Sequence, residues 1–114
     1  MLLRVVTVTI AEGQEAPYWA WSREVLALWD ARGVVRAGGP YAATGASGES
    51  LGVWLTVHPG EDEMRDEFTR LYADDPGRAL MQRRPPLVAS TLMTVYAEWD
   101  PDRGDPKGLP VLVP

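Results

Sequence analysis

Cysteine and asparagine are absent from these 114 residues, and histidine, phenylalanine and lysine occur once each. Without cysteine there is no disulfide, no thiol nucleophile and no thiolate metal site. A single imidazole, His58, leaves a conventional zinc site short of ligands, so no metal and no cofactor is expected. No apolar run approaches the roughly 20 residues that a membrane helix needs. The start "MLLRVVTVTI" has neither a basic lead-in nor a small-residue cleavage site, so no secretory leader is expected and the cytoplasm is the expected location. An excess of positive charge is lacking too. The formal net charge is −5 and the pI is near 4.7, which sets nucleic acid aside as a partner, because phosphate binding draws on clustered Lys and Arg.

What is present fits one soluble domain. Hydrophobic residues make up 46% and charged residues 24%, and a chain of this length buries about 65% of its unfolded surface. The segment "LLRVVTVTI" is rich in β-branched residues and predicts a strand. "PYWAWSREVLALWD", residues 17–30, predicts a helix with Pro17 in its first turn and Gly33 as its stop. At 100° per residue, Tyr18, Trp21, Val25, Leu28 and Trp29 fall within one arc of about 100° and form the core stripe. Trp19 and Leu26 lie on its flank. A second strand over "VVRAGGPYAAT" is weakened by Gly38, Gly39 and Pro40, which points to a bulge or an edge. "GASGES" predicts a hairpin loop and "LGVWLTVH" the third strand.

Acidic "EDE" at 61–63 opens a second helix, with Met64, Phe68, Leu71 and Tyr72 on one face. Asp75 is expected to cap, and Pro76 to begin, a short third helix that "RRPP" ends near Arg84. "LVASTLMTVYAEW" predicts the fourth strand. Residues 1–99 thus form the domain. Residues 100–114, with four of the ten prolines, form a loop or an extended arm suited to lie on a partner. The order β-α-β-β-α-β is the α+β, ferredoxin-like plan with one antiparallel four-stranded sheet.

Alternation along the third strand separates Leu51, Val53, Leu55 and Val57 from Gly52, Trp54, Thr56 and His58. The purely aliphatic set is expected under the helices. The fourth strand likewise sets Ala89, Thr91, Met93, Val95 and Ala97 against Ser90, Leu92, Thr94 and Tyr96. A lone subunit would then leave Trp54, Leu92 and Tyr96 facing water, an apolar patch of the kind that marks an interface or pocket. A homodimer is predicted, with a cavity between its sheets or between each sheet and its helices.

Gly33, "GESLGVWLTV" with Trp54, Arg65, "ADDP" and "RPPL" resemble the dimeric α+β barrel superfamily, and within it the NIPSNAP-like proteins, over roughly residues 33–96. "GVVRAGGP" followed by "DDP" is similar to the YCII-like branch, the second choice. The resemblance implies a dimeric barrel. The histidine that the YCII-like branch carries in its first helix is missing here, and only Asp75 matches its acidic partner. Other relatives oxidise aromatic substrates without metal or flavin. The Asn, Trp and His set of heme-degrading relatives is incomplete, since this chain has no Asn.

The expected function is that of a homodimer with a cavity for a small organic molecule, aromatic or apolar. The alternative is a cofactor-independent monooxygenase or isomerase with His58 as general base on a phenolic or enolic proton. Each candidate side chain has a plainer reading beside it. His58 either serves as that base or simply ends a strand beside Pro59. Trp54 stacks on a ligand or fills the dimer core, with Thr56 beside it on the same face. Tyr96 donates a hydrogen bond into the cavity or sits on its rim. Arg36 holds a ligand carboxylate or is an exposed edge-strand arginine. Trp19 edges the pocket mouth or the subunit contact, or belongs to a broad core stripe. "GESLG" spells G-x-S-x-G, but a nucleophile elbow needs a strand before it, a helix after it and a larger sheet.

Overall fold

β-Branched residues favour extended backbone, and the run at the N-terminus takes the interior of the sheet, where such side chains pack best. In the computed structural model, which describes residues 1–103, the chain forms β1 (Leu2–Ile10), α1 (Glu15–Arg32), β2 (Arg36–Thr44), β3 (Ser50–His58), α2 (Glu61–Leu71), α3 (Asp75–Gln82) and β4 (Val88–Ala97). The strand order is β2-β3-β1-β4, with every neighbouring pair antiparallel. This is the ferredoxin-like arrangement, with α3 added before the last strand. Most of the proline-containing tail lies outside the described residues. No helix among those described is long and apolar enough to cross a membrane.

Local chemistry explains the boundaries. α1 begins two residues before Pro17, which occupies the first turn, where its missing N–H costs no helical bond. It ends at Gly33, whose φ of 71° lies in the left-handed region that glycine adopts freely. β2 is an edge strand whose register with β3 shifts twice between Arg36 and Tyr41, as the glycine pair and Pro40 require. The cap of α3 falls one residue earlier than expected: Asp74 Oδ1 accepts from the Gly77 N–H at 3.1 Å, and Asp75 is the first helical residue.

One expectation is reversed. Val6, Val8 and Ile10 of β1 are buried, and β1 sets Val6 opposite Trp54 and Met93. Trp54, Thr56 and His58 are buried with them under the helices, so Leu51, Val53, Leu55 and Val57 point the other way. Its greater apolarity favours the aliphatic set for the helix side. The decisive factor is instead the aromatic content of α1. Trp29 meets the Trp54 ring edge-on with centroids 5.1 Å apart, and the Trp54 indole N–H donates to the Tyr18 hydroxyl at 2.9 Å. The two polar residues on this face bond to each other, which removes the penalty of burying them. In β4 the division is as expected: Thr91 and Met93 register with the buried β1 residues, while Leu92, Thr94 and Tyr96 register with Thr7, Val5 and Leu3.

The face away from the helices is therefore more hydrophobic than anticipated. It carries Leu3, Val5, Leu51, Val53, Leu55 and Val57 at its centre. Leu92 and Tyr96 on one side are 67% and 55% exposed, and Tyr41 on β2 is 53% exposed.

Candidate functional site

The tryptophan-rich segment supplies one wall of a cavity. Tyr18, Trp21, Val25 and Trp29 project from α1 at helical spacing and face Val6, Val8 and Trp54 on the sheet. Phe68 and Tyr72 close the second side, and Met81, Arg84, Thr91 and Met93 the third. Together with Arg4 and Leu92 they border a half-open cavity of about 510 Å³ between sheet and helices. That is ample room for a small organic molecule. Thr91 and Leu92 are exposed, which places the mouth at the β4 edge.

Each of the three cavity tryptophans has its indole N–H satisfied. Trp21 donates to the Leu80 carbonyl, Trp29 to the Tyr72 hydroxyl and Trp54 to the Tyr18 hydroxyl, all at 2.9 Å. The rings are thus held in fixed orientations and not merely packed. Tyr18 is fully buried, and the close approach of its ring depends on Gly52. A Cβ at that position would stand 2.9 Å from the Tyr18 hydroxyl and 3.3 Å from the Trp19 ring. Burial raises the pKa of both tyrosines above the ordinary phenol value, so both are protonated at neutral pH. Their oxygens already accept an indole N–H, which leaves each O–H proton available for donation.

Arg4 is the unusual residue, a cation among the otherwise apolar helix-side residues of the central strand. Its Nε donates to Met93 Sδ at 3.1 Å, and its guanidinium carbon lies 4.1 Å from the Phe68 ring centroid. Burial draws its pKa below the usual arginine value; the Tyr72 phenol opposes this and Arg84 adds to it. Arg84 donates from Nη2 to Thr91 Oγ1 at 2.7 Å.

Of the residues singled out in the sequence, Trp54 lines this cavity. Thr56 and His58 share its strand face but lie beyond the Phe68 ring, which stands 5.5 Å from the imidazole. They form a buried knot. His58 Nε2 is 2.8 Å from Thr56 Oγ1, and Nδ1 is 3.4 Å from Glu67 Oε1, an oxygen with no hydrogen-bond partner. Burial, and secondarily the Arg4 charge, lower the His58 pKa below 6.5, so the ring is neutral at pH 7. Tyr96 stands on the opposite face of the sheet. Arg36 is on the β2 edge, donating to the Gly39 carbonyl at 2.8 Å with Asp30 at 3.5 Å. Trp19 packs edge-on against Tyr18 with centroids 5.0 Å apart, outside the cavity wall. Ser50, the serine of "GESLG", starts β3 and donates to Glu15 at 3.3 Å.

The two arginines, Phe68 and Tyr72 were not anticipated as lining. A signal for Arg4 was available. In "LLRVVTVTI" it shares parity with Val6, Val8 and Ile10, and a charge in register with a buried stripe is seldom idle. Arg84 carried no comparable signal, because its neighbours are prolines and another arginine.

Comparison with known proteins places the fold. No protein-family model matches the chain, and no curated protein matches its sequence. Solved structures do match. A NIPSNAP domain protein from Burkholderia xenovorans superposes with a TM-score of 0.71 at 19% identity, covering 87% of this chain and 95% of the other. A NIPSNAP family protein from Agrobacterium tumefaciens gives 0.68 at 16% identity, over 87% and 86% of the two chains. A candidate antibiotic biosynthesis monooxygenase from Deinococcus radiodurans gives 0.58 at 12% identity, over 88% and 94%. The chain has the fold of these NIPSNAP structures, a ferredoxin-like α+β arrangement.

Proposed function

We propose that the protein is a homodimer in which each subunit binds a small aromatic or apolar organic molecule in the cavity between its sheet and helices. The observation that carries this reading is the cavity itself. About 510 Å³ opens between sheet and helices, walled in part by aromatic rings whose indole groups are fixed by hydrogen bonds. A half-open, mostly apolar cavity of this size with a few polar groups in its wall is the form that small-molecule sites commonly take. The aliphatic face of the sheet supports the dimer, since a large exposed apolar surface is rarely left to water.

Binding is better supported than turnover. The catalytic alternative, a cofactor-independent monooxygenase or isomerase, rests on His58 as base. That imidazole sits behind Phe68 and Arg4, bonded to Thr56, and not in the cavity wall. The likeness to a candidate monooxygenase extends to the fold.

The test is a calorimetric titration of the full chain with 2-naphthol, against a variant in which Val8→Phe projects a ring into the cavity. Saturable binding by the parent protein and its loss in a folded, unchanged assembly of the variant would establish the site. No binding by the parent, or equal binding by both, would dismiss it. The catalytic alternative requires that His58→Ala abolish oxidation of an aromatic substrate while leaving the assembly intact, and unchanged rates would remove the base assignment.

A further inference from the structure

We propose that the cavity selects an aromatic organic anion, with a carboxylate head held between Arg4 and Arg84 and its ring against Phe68, Trp29 and Trp54. This deepens the reading of the cavity as a ligand site and rests on it.

The argument begins with charge. The protein as a whole is acidic, at −5, yet the cavity is lined by two arginines and by no aspartate or glutamate. Elsewhere on the molecule Arg32, Arg36, Arg65, Arg78 and Arg83 each meet a carboxylate, while Arg23 and Arg70, which meet none among the described residues, are exposed to water. Arg4 and Arg84 meet none among the described residues. An enclosed cation without a counter-charge is costly, and a second cation nearby raises that cost. An anion entering the cavity would relieve both.

The bonding pattern points the same way. Arg4 uses its Nε on a thioether and one guanidinium face on Phe68, so the outer edge with both terminal nitrogens is uncommitted. That edge is the fork that grips a carboxylate through two parallel bonds. Arg84 uses Nη2 on Thr91 and has its remaining N–H groups to spare. The hydroxyl protons of Tyr18 and Tyr72 add two neutral donors. The wall is rich in donors and poor in acceptors, which suits an anionic head and disfavours an ammonium or a polyol. Position matters as well. Arg84 and Thr91 stand by the mouth, so the head can enter along Arg84 while the ring slides inward onto the aromatics.

The proposal is tested with two probes of nearly equal shape, 2-naphthoate and 2-naphthamide, titrated by calorimetry into the full chain at pH 7.5. Naphthoate should bind at least tenfold more tightly than the amide. Arg84→Gln, a change at a half-buried side chain by the cavity mouth, should cut that preference to threefold or less with the amide affinity unaltered. Arg4→Lys, which keeps the charge and loses the fork, should also reduce it. Equal affinity for the two probes, or a preference that survives both substitutions, would overturn the anion assignment while leaving the cavity as a ligand site. Failure of both probes to bind would remove the site itself and this inference with it. Near-ultraviolet circular dichroism of the packed tryptophans verifies that each variant is folded.

Discussion

Leu55→Glu should convert the protein from a dimer to a folded monomer. Leu55 lies at the centre of the uncovered face, opposite Val5 on β1 and flanked by Val53 and Val57 on its own strand. Fully burying a large apolar side chain is worth about 1.5–3 kcal/mol. Leu92 is 67% exposed, and Tyr96 and Tyr41 are just over half exposed, so covering them yields about 1–2 kcal/mol each. Three such residues from each of two copies give roughly 6–12 kcal/mol, before the six central aliphatics are counted. Association costs about 4–15 kcal/mol in lost rigid-body freedom, so the face is sufficient for a stable pair only if the centre contributes too.

An unpaired carboxylate at that centre carries a desolvation penalty of several kcal/mol, and two-fold symmetry introduces it twice. Since about 1.4 kcal/mol is a tenfold change in Kd, the dimer should weaken by on the order of 10⁴ or more. The carboxylate remains in water in the separated subunit, so the fold should survive. Sedimentation velocity at 20 μM is the assay. The parent should sediment near 25 kDa, twice the 12.6 kDa chain mass, and the variant near 12.6 kDa with its near-ultraviolet spectrum intact. A parent that is monomeric at that concentration, or a variant that remains dimeric, would refute the reasoning.

Other consequences are accessible to urea unfolding. Tyr18→Phe strands the Trp54 indole N–H in the core and should destabilise the protein by about 1–3 kcal/mol, more than an exposed tyrosine would. Gly52→Ala places a methyl group 2.9 Å from the Tyr18 hydroxyl and should cost about 1–3 kcal/mol by overpacking, with a blue- or red-shifted tryptophan emission reporting the displaced ring. His58 has a folded pKa below its unfolded 6.5, so the unfolded chain binds the extra proton. Stability from this group is whole above pH 6.5 and falls as the pH drops below it. Arg4 on β1 and Glu67 on α2 are the charged groups facing the ring; Arg4 opposes its protonation and the Glu67 carboxylate would favour it. His58→Gln, which can keep the bond to Thr56, should lose less stability between pH 7 and pH 5.5 than the parent does, and an identical decline would refute the linkage.

The order of elements was legible because it depends on local chemistry. The β-branched run, the 3.6-residue stripe of α1, the stop at Gly33 and the shifted register around Gly38 and Gly39 each have a cause within a few residues. The α3 cap was misplaced by one residue because "DDP" offers two adjacent aspartates, and only the loop geometry decides which reaches the Gly77 N–H. The assignment of faces in β3 failed for a deeper reason. Alternation reveals which residues travel together, but not which set meets the helices. Aliphatic purity was used as the criterion, and that criterion holds only if one side of the sheet faces water. Here both sides are apolar, and the aromatic set lies inside because the indoles of Trp29 and Trp54 find phenolic acceptors there.

The same inversion changes what the candidate site can be. With Trp54 inside, the cavity belongs to one subunit, and the aliphatic face is left to serve the contact between two. Under the proposed function, ligand binding and assembly would use opposite sides of one sheet. The division runs through β1 itself, where Arg4 has its side chain in the cavity while Leu3 and Val5, its immediate neighbours, point to the outer face. A substitution such as Leu55→Glu removes the contact without touching a cavity residue, and Arg84→Gln alters the cavity without touching the face. If the two roles are separable in this way, the monomeric Leu55→Glu variant retains the preference for naphthoate over naphthamide. A preference that vanished with the dimer would mean that the partner completes the site, contrary to a cavity contained within one subunit.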